Sequence, residues 1–254
     1  MTVPIFVINL ARDAERRRLM AGALDALGLA AEFVPAVEGR ALSAADRAAY
    51  DPARALRHCG AEMLPNELGC YLSHYRLYQR IVAEGLPAAV VMEDDLRLEP
   101  SLPAVLDDLL ALPAQDWLMV RLTALRTNVL APRRAREVGV KVADLPHGGA
   151  LYRLRTHTLG SGAYLIKQAA AARLLDYGRR IYLPLDNMLD RYWENGIAPH
   201  VVRPFPAHHR AELESRIGAR PPERRKSQPL SVRLRRRLQR IEDSLRKRAY
   251  NLGH

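Results

Sequence analysis

Short apolar runs alternate with longer amphipathic ones along this chain. "PIFVINL" is a compact apolar run suited to a buried strand, and "DAERRRLMAGALDALG" behind it carries Leu19, Ala23 and Leu27 at helical spacing before Gly28. "AEFVPAVEG" predicts a second strand closed by a glycine turn, and "SAADRAAY" a short helix capped by Ser43. Residues 51 to 64 keep neither period and predict a loop. "NELGCYLSHYRLYQRIVAEG" predicts a helix capped at Asn66 and stopped at Gly85, with Leu68, Leu72, Tyr75, Tyr78 or Gln79, and Val82 along one side. "AAVVMEDD" supplies a strand, "SLPAVLDDLLALP" a helix and "DWLMVRL" a strand.

From Thr123 to His157 basic, proline and glycine residues interrupt the pattern and predict an excursion or flexible loop. "GSGAYLIKQAAAARLLDYG" then gives a glycine-rich turn, a strand and a helix, "LPLDNMLDRYWENG" a further helix, and "APHVVRPF" a last strand. Repeated strand and helix alternation predicts an α/β domain with a mostly parallel central sheet, ending near Gly218. Beyond it, "ARPPERRKSQP" has the composition of a linker. "LSVRLRRRLQRIEDSLRKRAY" sets Leu234, Leu238, Ile241 and Leu245 at steps of four, three and four, a basic amphipathic helix. The expected division is therefore a domain over 1–218 and a basic linker and helix over 219–254.

Charge sharpens that division. The net charge is +11, and from Arg220 to His254 twelve lysines and arginines stand against three acids, Glu223, Glu242 and Asp243. Most of the surplus therefore sits in the tail, whose expected partner is anionic. Few aromatics interleave with these cations, which favours an anionic membrane surface under residues 231–250 over nucleic acid. A solvated basic helix is the plainer alternative. At 48% hydrophobic, with ordinary glycine and proline usage, the chain is neither disordered nor collagenous. Cys59 and Cys70 form no CxxC pair and predict neither a disulfide framework nor a common zinc motif. The N-terminal run lacks a signal peptide's basic start, and no run has the length of a bilayer span, so the expected location is cytoplasmic, or peripheral on the inner face of a membrane.

The candidate chemistry begins at "AAVVMEDDLRLEP", where an apolar run meets Glu93, Asp94 and Asp95. On an extended segment Glu93 and Asp95 point one way and Asp94 the other. Ligands of open α/β sheets sit outside the carboxyl ends of strands, where these acids fall, and paired carboxylates suit a hard divalent cation able to neutralise a diphosphate leaving group. A solvated strand end would look the same locally.

Four blocks in order distinguish the two: "VINLARDAERR", "FVPAVEG", "NELGCYLSHYRLYQRIVAEG" with "AAVVMEDD", and "GSGAYLIKQAAAARLL". Together they resemble glycosyltransferase family 25, the bacterial lipooligosaccharide and lipopolysaccharide sugar transferases. The resemblance implies a GT-A-like nucleotide-sugar-binding fold, an Asp-x-Asp-like motif, a divalent metal such as Mn²⁺ or Mg²⁺, and inverting transfer. The implied donor is a UDP-sugar, galactose first, and the implied acceptor a lipid-linked glycan.

Site residues follow from that resemblance. Asp95 and Glu93 are the expected metal ligands, with His208 or its neighbour His209 as a third. Glu93 and Asp94 also serve the donor, as do Asn9, Leu10, Arg16, Glu38, Gly39, Ser73 and His74. Gly160, Ser161 and Gly162 are expected at the acceptor, although a tight turn also needs such residues. Ser73 and His74 diverge by about 100° on a helix, which excludes a hydrolase pair. The base expected to deprotonate the acceptor is Asp186, with Asp190 its competitor; helix capping is the other duty open to Asp186. The alternative function is a non-catalytic nucleotide- or glycan-binding protein on the same fold.

Overall fold

The computed structural model describes residues 3–113, 117–124, 139–210 and 230–253. The first part of the chain forms β1 (Ile5–Asn9), α1 (Ala14–Ala26), β2 (Glu32–Pro35), α2 (Ala44–Ala48), α3 (Pro52–Cys59), α4 (Pro65–Ala83), β3 (Ala88–Glu93), β4 (Leu96–Leu98), α5 (Leu102–Ala111) and β5 (Met119–Arg121). The remainder adds β6 (Gly139–Asp144), β7 (Ala150–Leu154), β8 (Ala163–Lys167), α6 (Gln168–Tyr177), α7 (Leu185–Leu189), α8 (Tyr192–Asn195), β9 (His200–Arg203), β10 (Ala207–His209) and α9 (Leu230–Leu252).

Eight strands make one sheet in the order β2-β1-β3-β8-β5-β9-β7-β6. β1 runs parallel to β2 and β3, and β5 parallel to β9, while β8 opposes β3 and β5 and β7 opposes β9 and β6. All strands except β7 and β8 therefore share one direction, the mostly parallel α/β sheet expected, with mixed pairing. Side chains alternate across it. Phe6, Ile8, Ala89 and Val91 join the core under α4, α6 and α7. Ile5, Val7, Val90 and Met92 join the core under α1 and α5. This three-layer arrangement leaves the carboxyl ends of β1, β2 and β3 on one edge.

Several local expectations change. Residues 51–64 are not all loop: Asp51 Oδ1 accepts from Arg54 N at 2.9 Å, Pro52 starts α3, and Gly60 closes it at φ 73°. The helix buries only Ala55, too little to mark an apolar period. Part of the 123–157 excursion is a regular hairpin of β6 and β7, turning through Gly148 and Gly149 at φ 104° and 88°. β6 has both faces largely exposed, so it shows no alternation. The α4 cap is Leu64, with Pro65 first in the helix and Glu67 reaching back to Leu64 N at 2.8 Å. Its buried face is wider than expected, adding Tyr71, His74, Leu77 and Ile81, while Tyr75 and Val82 lie at its margin. On α1 the buried residues are Arg16, Met20 and Leu24, one step from the expected stripe. The helix expected over "LPLDNMLDRYWENG" breaks into α7 and α8 between Asp190 and Arg191, whose side chains turn to opposite duties described below.

The expected boundary at Gly218 and the linker before residue 230 lie outside the described residues. The basic helix forms as expected, with its polar face toward the body and its apolar stripe outward. Arg236, Gln239, Asp243, Lys247 and Tyr250 are half-buried toward the body, whereas Leu234, Leu238, Ile241 and Leu245 are 50–59% exposed. Among the described residues no helix is long and apolar enough to cross a membrane.

Candidate active site

The carboxyl edge of β1, β2 and β3 opens into a cavity of about 1330 Å³, above the usual size for one small ligand. Leu10 beyond β1, Val37 to Gly39 beyond β2, and Glu93, Asp94 and Asp95 line one end. Because β8 runs against β3, the entry to β8 brings Gly160 and Ser161 to the same edge.

The three acids divide among different neighbours. Glu93 continues the alternation onto the α4 side, where Ser161 Oγ donates to its Oε1 at 2.6 Å and His74 Nε2 stands 3.5 Å away. Burial raises the Glu93 pKa, but His74 and the Ser161 hydroxyl overturn that and hold the carboxyl below its usual range. Asp94 turns to the α1 side, accepting from Asn9 Nδ2 at 2.6 Å and from Arg16 Nη1 at 3.1 Å. Its burial outweighs both partners and pushes its pKa up. Asp95, in the turn before β4, reaches Arg16 Nη1 at 3.4 Å and His209 Nδ1 at 3.5 Å.

That last pair separates the two histidines expected as a third metal ligand. β10 pairs antiparallel with β4, matching His208 to Arg97 and His209 to Leu96, so the two imidazoles take opposite faces. His208 meets Glu99 at 3.6 Å and does not line the cavity; His209 does. Burial would lower the His209 pKa, but Asp95 raises it.

Asp95 Oδ1, His209 Nε2 and His74 Nε2 are buried atoms without a hydrogen-bond partner. His74 Nε2 stands 3.5 Å from Glu93 and His209 Nδ1 3.5 Å from Asp95, two imidazole–carboxylate pairs on the cavity wall of the kind divalent cations take. Cys70, His74 and Glu93 also bring ligand atoms within 4.8 Å of one another. The residues present therefore fit a divalent cation.

Other expected site residues have structural duties. Asn9 is buried and holds Asp94 without lining the cavity. Arg16 lines the cavity with its guanidinium engaged by Asp94 and Asp95, which is why α1 turns its Arg16 face inward. Glu38 pairs with Arg12 at the rim. Ser73 Oγ accepts from Val37 N at 2.8 Å and donates to Gly69 O at 2.7 Å, tying the β2 exit to α4. A Cβ on Gly39 would lie 1.9 Å from Pro65 O, so its bareness serves the same junction. Gly162 does not line the cavity; a Cβ there would strike the His209 ring at 2.6 Å.

Asp186 and Asp190 separate cleanly. Asp186 lines the cavity at the start of α7, accepting on Oδ1 from Asn187 N at 2.8 Å, and burial with nearby Asp190 pushes its pKa up. Asp190 is 1% exposed and faces away from the cavity. Its oxygens accept from Thr158 Oγ1 at 2.9 Å and Leu159 N at 2.8 Å, and Arg121 Nη2 lies 3.4 Å away. Arg121 also donates to Gly160 O. Asp190 thus clamps a turn in which Leu159 has φ 51°, a strained left-handed conformation.

Sequence reasoning missed the opposite end of the cavity. There His157, Trp193 and the α9 residues Arg236, Arg240 and Lys247 line the wall. No local signal marks them, because α9 reaches the cavity only through tertiary packing.

A cavity at the carboxyl edge of a mostly parallel α/β sheet is where such folds take their ligands. The chain belongs to glycosyltransferase family 25: residues 2–189 match the family described as "Glycosyltransferase family 25 (LPS biosynthesis protein)". The sheet agrees with the GT-A-like expectation drawn from the motifs. "Probable inactive glycosyltransferase 25 family member 3" of Rattus norvegicus is 30% identical, covering 83% of this chain and 39% of its own length. "Procollagen galactosyltransferase 1" of Danio rerio is 33% identical over 52% of this chain and 23% of its own. This chain thus spans about two fifths or less of these relatives. Among solved structures, a glycosyltransferase involved in the glycosylation of the major capsid of PBCV-1 aligns over 70% of this chain and 64% of its own, with 7% identity and a TM-score of 0.36, too distant to add to the fold.

Proposed function

We propose that this chain transfers a hexose, galactose first, from a UDP-sugar to a lipid-linked glycan of the lipopolysaccharide or lipooligosaccharide type, with inversion. The observation that carries the reading is the cluster of Cys70, His74 and Glu93, with Asp95 paired to His209, on a cavity that also holds Asp186. The family description supports the lipopolysaccharide acceptor, and the zebrafish relative's name supports galactose.

Glu93 and His74, with the Asp95–His209 pair on the same cavity, would hold a divalent metal, Mn²⁺ or Mg²⁺, whose chemistry is to neutralise a departing diphosphate. Arg16, fixed against Asp94 and Asp95, adds positive charge at the same end of the cavity. Asp186 takes the proton of the acceptor hydroxyl as its oxygen bonds to the anomeric carbon and the bond to the diphosphate breaks. The clamp of Asp190 and Arg121 keeps Ser161 on Glu93. The protein works in the cytoplasm on the inner membrane face. There the exposed leucines of α9, flanked by exposed Arg233, Arg237 and Arg248, rest on anionic lipid.

A panel of nucleotide sugars with Mn²⁺ or EDTA, read for binding and slow donor hydrolysis, tests this. EDTA-sensitive turnover of one uridine-linked sugar is expected. Relatives whose names mark them inactive favour a second reading, and binding with no turnover of any donor would establish a non-catalytic binding protein instead.

A further inference from the structure

The end of the cavity farthest from the acids is walled by α8 and α9. Arg236, Arg240, Asp243 and Lys247 fall at helical steps of four, three and four and so share one face, which lines the cavity. The carboxylates of this wall are already engaged: Arg191 holds Asp243 at 2.6 and 2.8 Å and Glu194 at 2.7 and 2.8 Å. Arg240 makes no ion pair among the described residues. The wall is therefore cationic where the opposite end is anionic.

Beside it stands Trp193. Its ring lines the cavity, meets His157 edge-on at 5.7 Å and carries the Arg191 guanidinium over one face at 5.0 Å, and its Nε1 is a buried donor with no partner. An aromatic face with an adjacent unmet donor suits a sugar ring, which offers C–H groups to the face and hydroxyls to the donor.

We infer that this end is an acceptor subsite for a glycan bearing a phosphate or carboxylate beside the sugar to be extended, with Trp193 under the ring and Arg236, Arg240 and Lys247 around the charge. The term "acceptor" rests on the transferase reading; the anionic-sugar site itself does not. Charge-assisted contacts from guanidinium and ammonium groups make such a site prefer anionic over neutral sugars. α9 would then have two faces, a polar one selecting the glycan and an apolar one turned outward.

Tryptophan fluorescence of the full chain provides the test. Of the two tryptophans, Trp117 is buried, with its Nε1 bonded to Leu109 O at 3.1 Å, so Trp193 is the reporter. The probes are glucose 6-phosphate, glucuronate and glucose, which separate phosphate from carboxylate and both from the neutral ring. At least one anionic sugar is expected to saturate at a concentration about tenfold or more below glucose, the effect of one charge-assisted hydrogen bond. Trp193→Phe should abolish the signal. Arg240→Ala/Lys247→Ala should reduce the anionic sugar to the level of glucose, whereas Arg18→Ala/Arg179→Ala, exposed and outside the cavity, should leave it within about twofold, as screened surface charges do.

Equal affinity for all three sugars, a signal surviving Trp193→Phe, or equal loss in both arginine pairs overturns the subsite. Circular dichroism confirms that each variant folds. Donor hydrolysis, measured on the same samples, keeps the two readings apart. Hydrolysis without anionic-sugar preference sinks only the subsite, and preference without hydrolysis of any donor sinks only the transferase reading.

Discussion

His209 Nδ1 stands 3.5 Å from Asp95 Oδ1, while the neighbouring His208 turns to the other face of β10 and meets Glu99. The register of β10 on β4 makes that choice, and it leaves His209 Nε2 buried beside Gly162 with no partner. His209→Ala should therefore weaken Mn²⁺ binding by roughly tenfold or more, the scale on which imidazole ligands and their supports act. His208→Ala should change it little. Electron paramagnetic resonance of free Mn²⁺ during titration measures both, and equal effects would remove His209 from the ligand set.

Asp186 lines the cavity wall and is not committed to Arg16, Ser161 or an imidazole; its Oδ1 accepts from Asn187. Asp186→Asn should lower kcat by about 10²–10⁴-fold, the range of general-base contributions, with little change in donor KM. The base works deprotonated, so the rate should rise with pH through its pKa. Burial raises that pKa, which places the limb above the ordinary carboxylate range of about 4. A pH–rate profile of the wild type checks the sign, and retention of full kcat by Asp186→Asn would assign the base elsewhere.

Asp190 has the opposite profile. Its removal leaves Arg121 buried without its carboxylate and frees the strained turn at Leu159. Asp190→Ala should cost about 3–5 kcal/mol in urea unfolding, as loss of one partner of a buried pair does. A cost below about 1 kcal/mol would show that the clamp is dispensable, surface pairs being worth that little.

What was legible in the chain follows the range of the interactions. The β3 acids were visible because an apolar run ending in Glu93, Asp94 and Asp95 is a local contrast, and the α/β class follows strand and helix periods that are local too. The inward turn of α1 was not visible, since Arg16 faces the helix interior only to meet acids 78 and 79 positions away. The choice of His209 over His208 depends on a two-stranded pairing with β4, more than a hundred residues earlier. The helical stripe of Leu234, Leu238, Ile241 and Leu245 was read correctly as a stripe, but periodicity cannot say that the other face packs inward.

That outward stripe predicts membrane behaviour. Leu238→Asp/Leu245→Asp should weaken sedimentation with anionic vesicles by roughly tenfold or more, since it removes apolar area and adds like charge at the lipid surface. Binding to neutral vesicles should be weak for both proteins. Donor hydrolysis should be unchanged, because neither leucine lines the cavity. Undiminished vesicle binding would assign the stripe another partner.

The attachment of α9 depends on Arg191, which holds Glu194 on its own helix and Asp243 on α9, while Tyr177 also donates to Glu194. Burial raises the Glu194 pKa, but the hydrogen bonds from Arg191 and Tyr177 overturn it and hold the group at about 2, against an ordinary value of 4.5. A folded-state pKa below the unfolded one contributes stability that is fully present above the unfolded value and is lost as pH falls through the folded one. Docking of α9 should therefore hold near neutral pH and weaken between about pH 4.5 and 2. Asp243→Ala should loosen it already at pH 7, because it removes both hydrogen bonds from Arg191 to α9. Limited proteolysis with pepsin in the acid window and trypsin at pH 7 reads this directly. The expected result is early loss of the C-terminal segment from Asp243→Ala while the body stays intact. Cleavage of wild type and variant at the same rate would mean that α9 is held by other contacts, such as the Tyr192 and Tyr250 rings 5.2 Å apart.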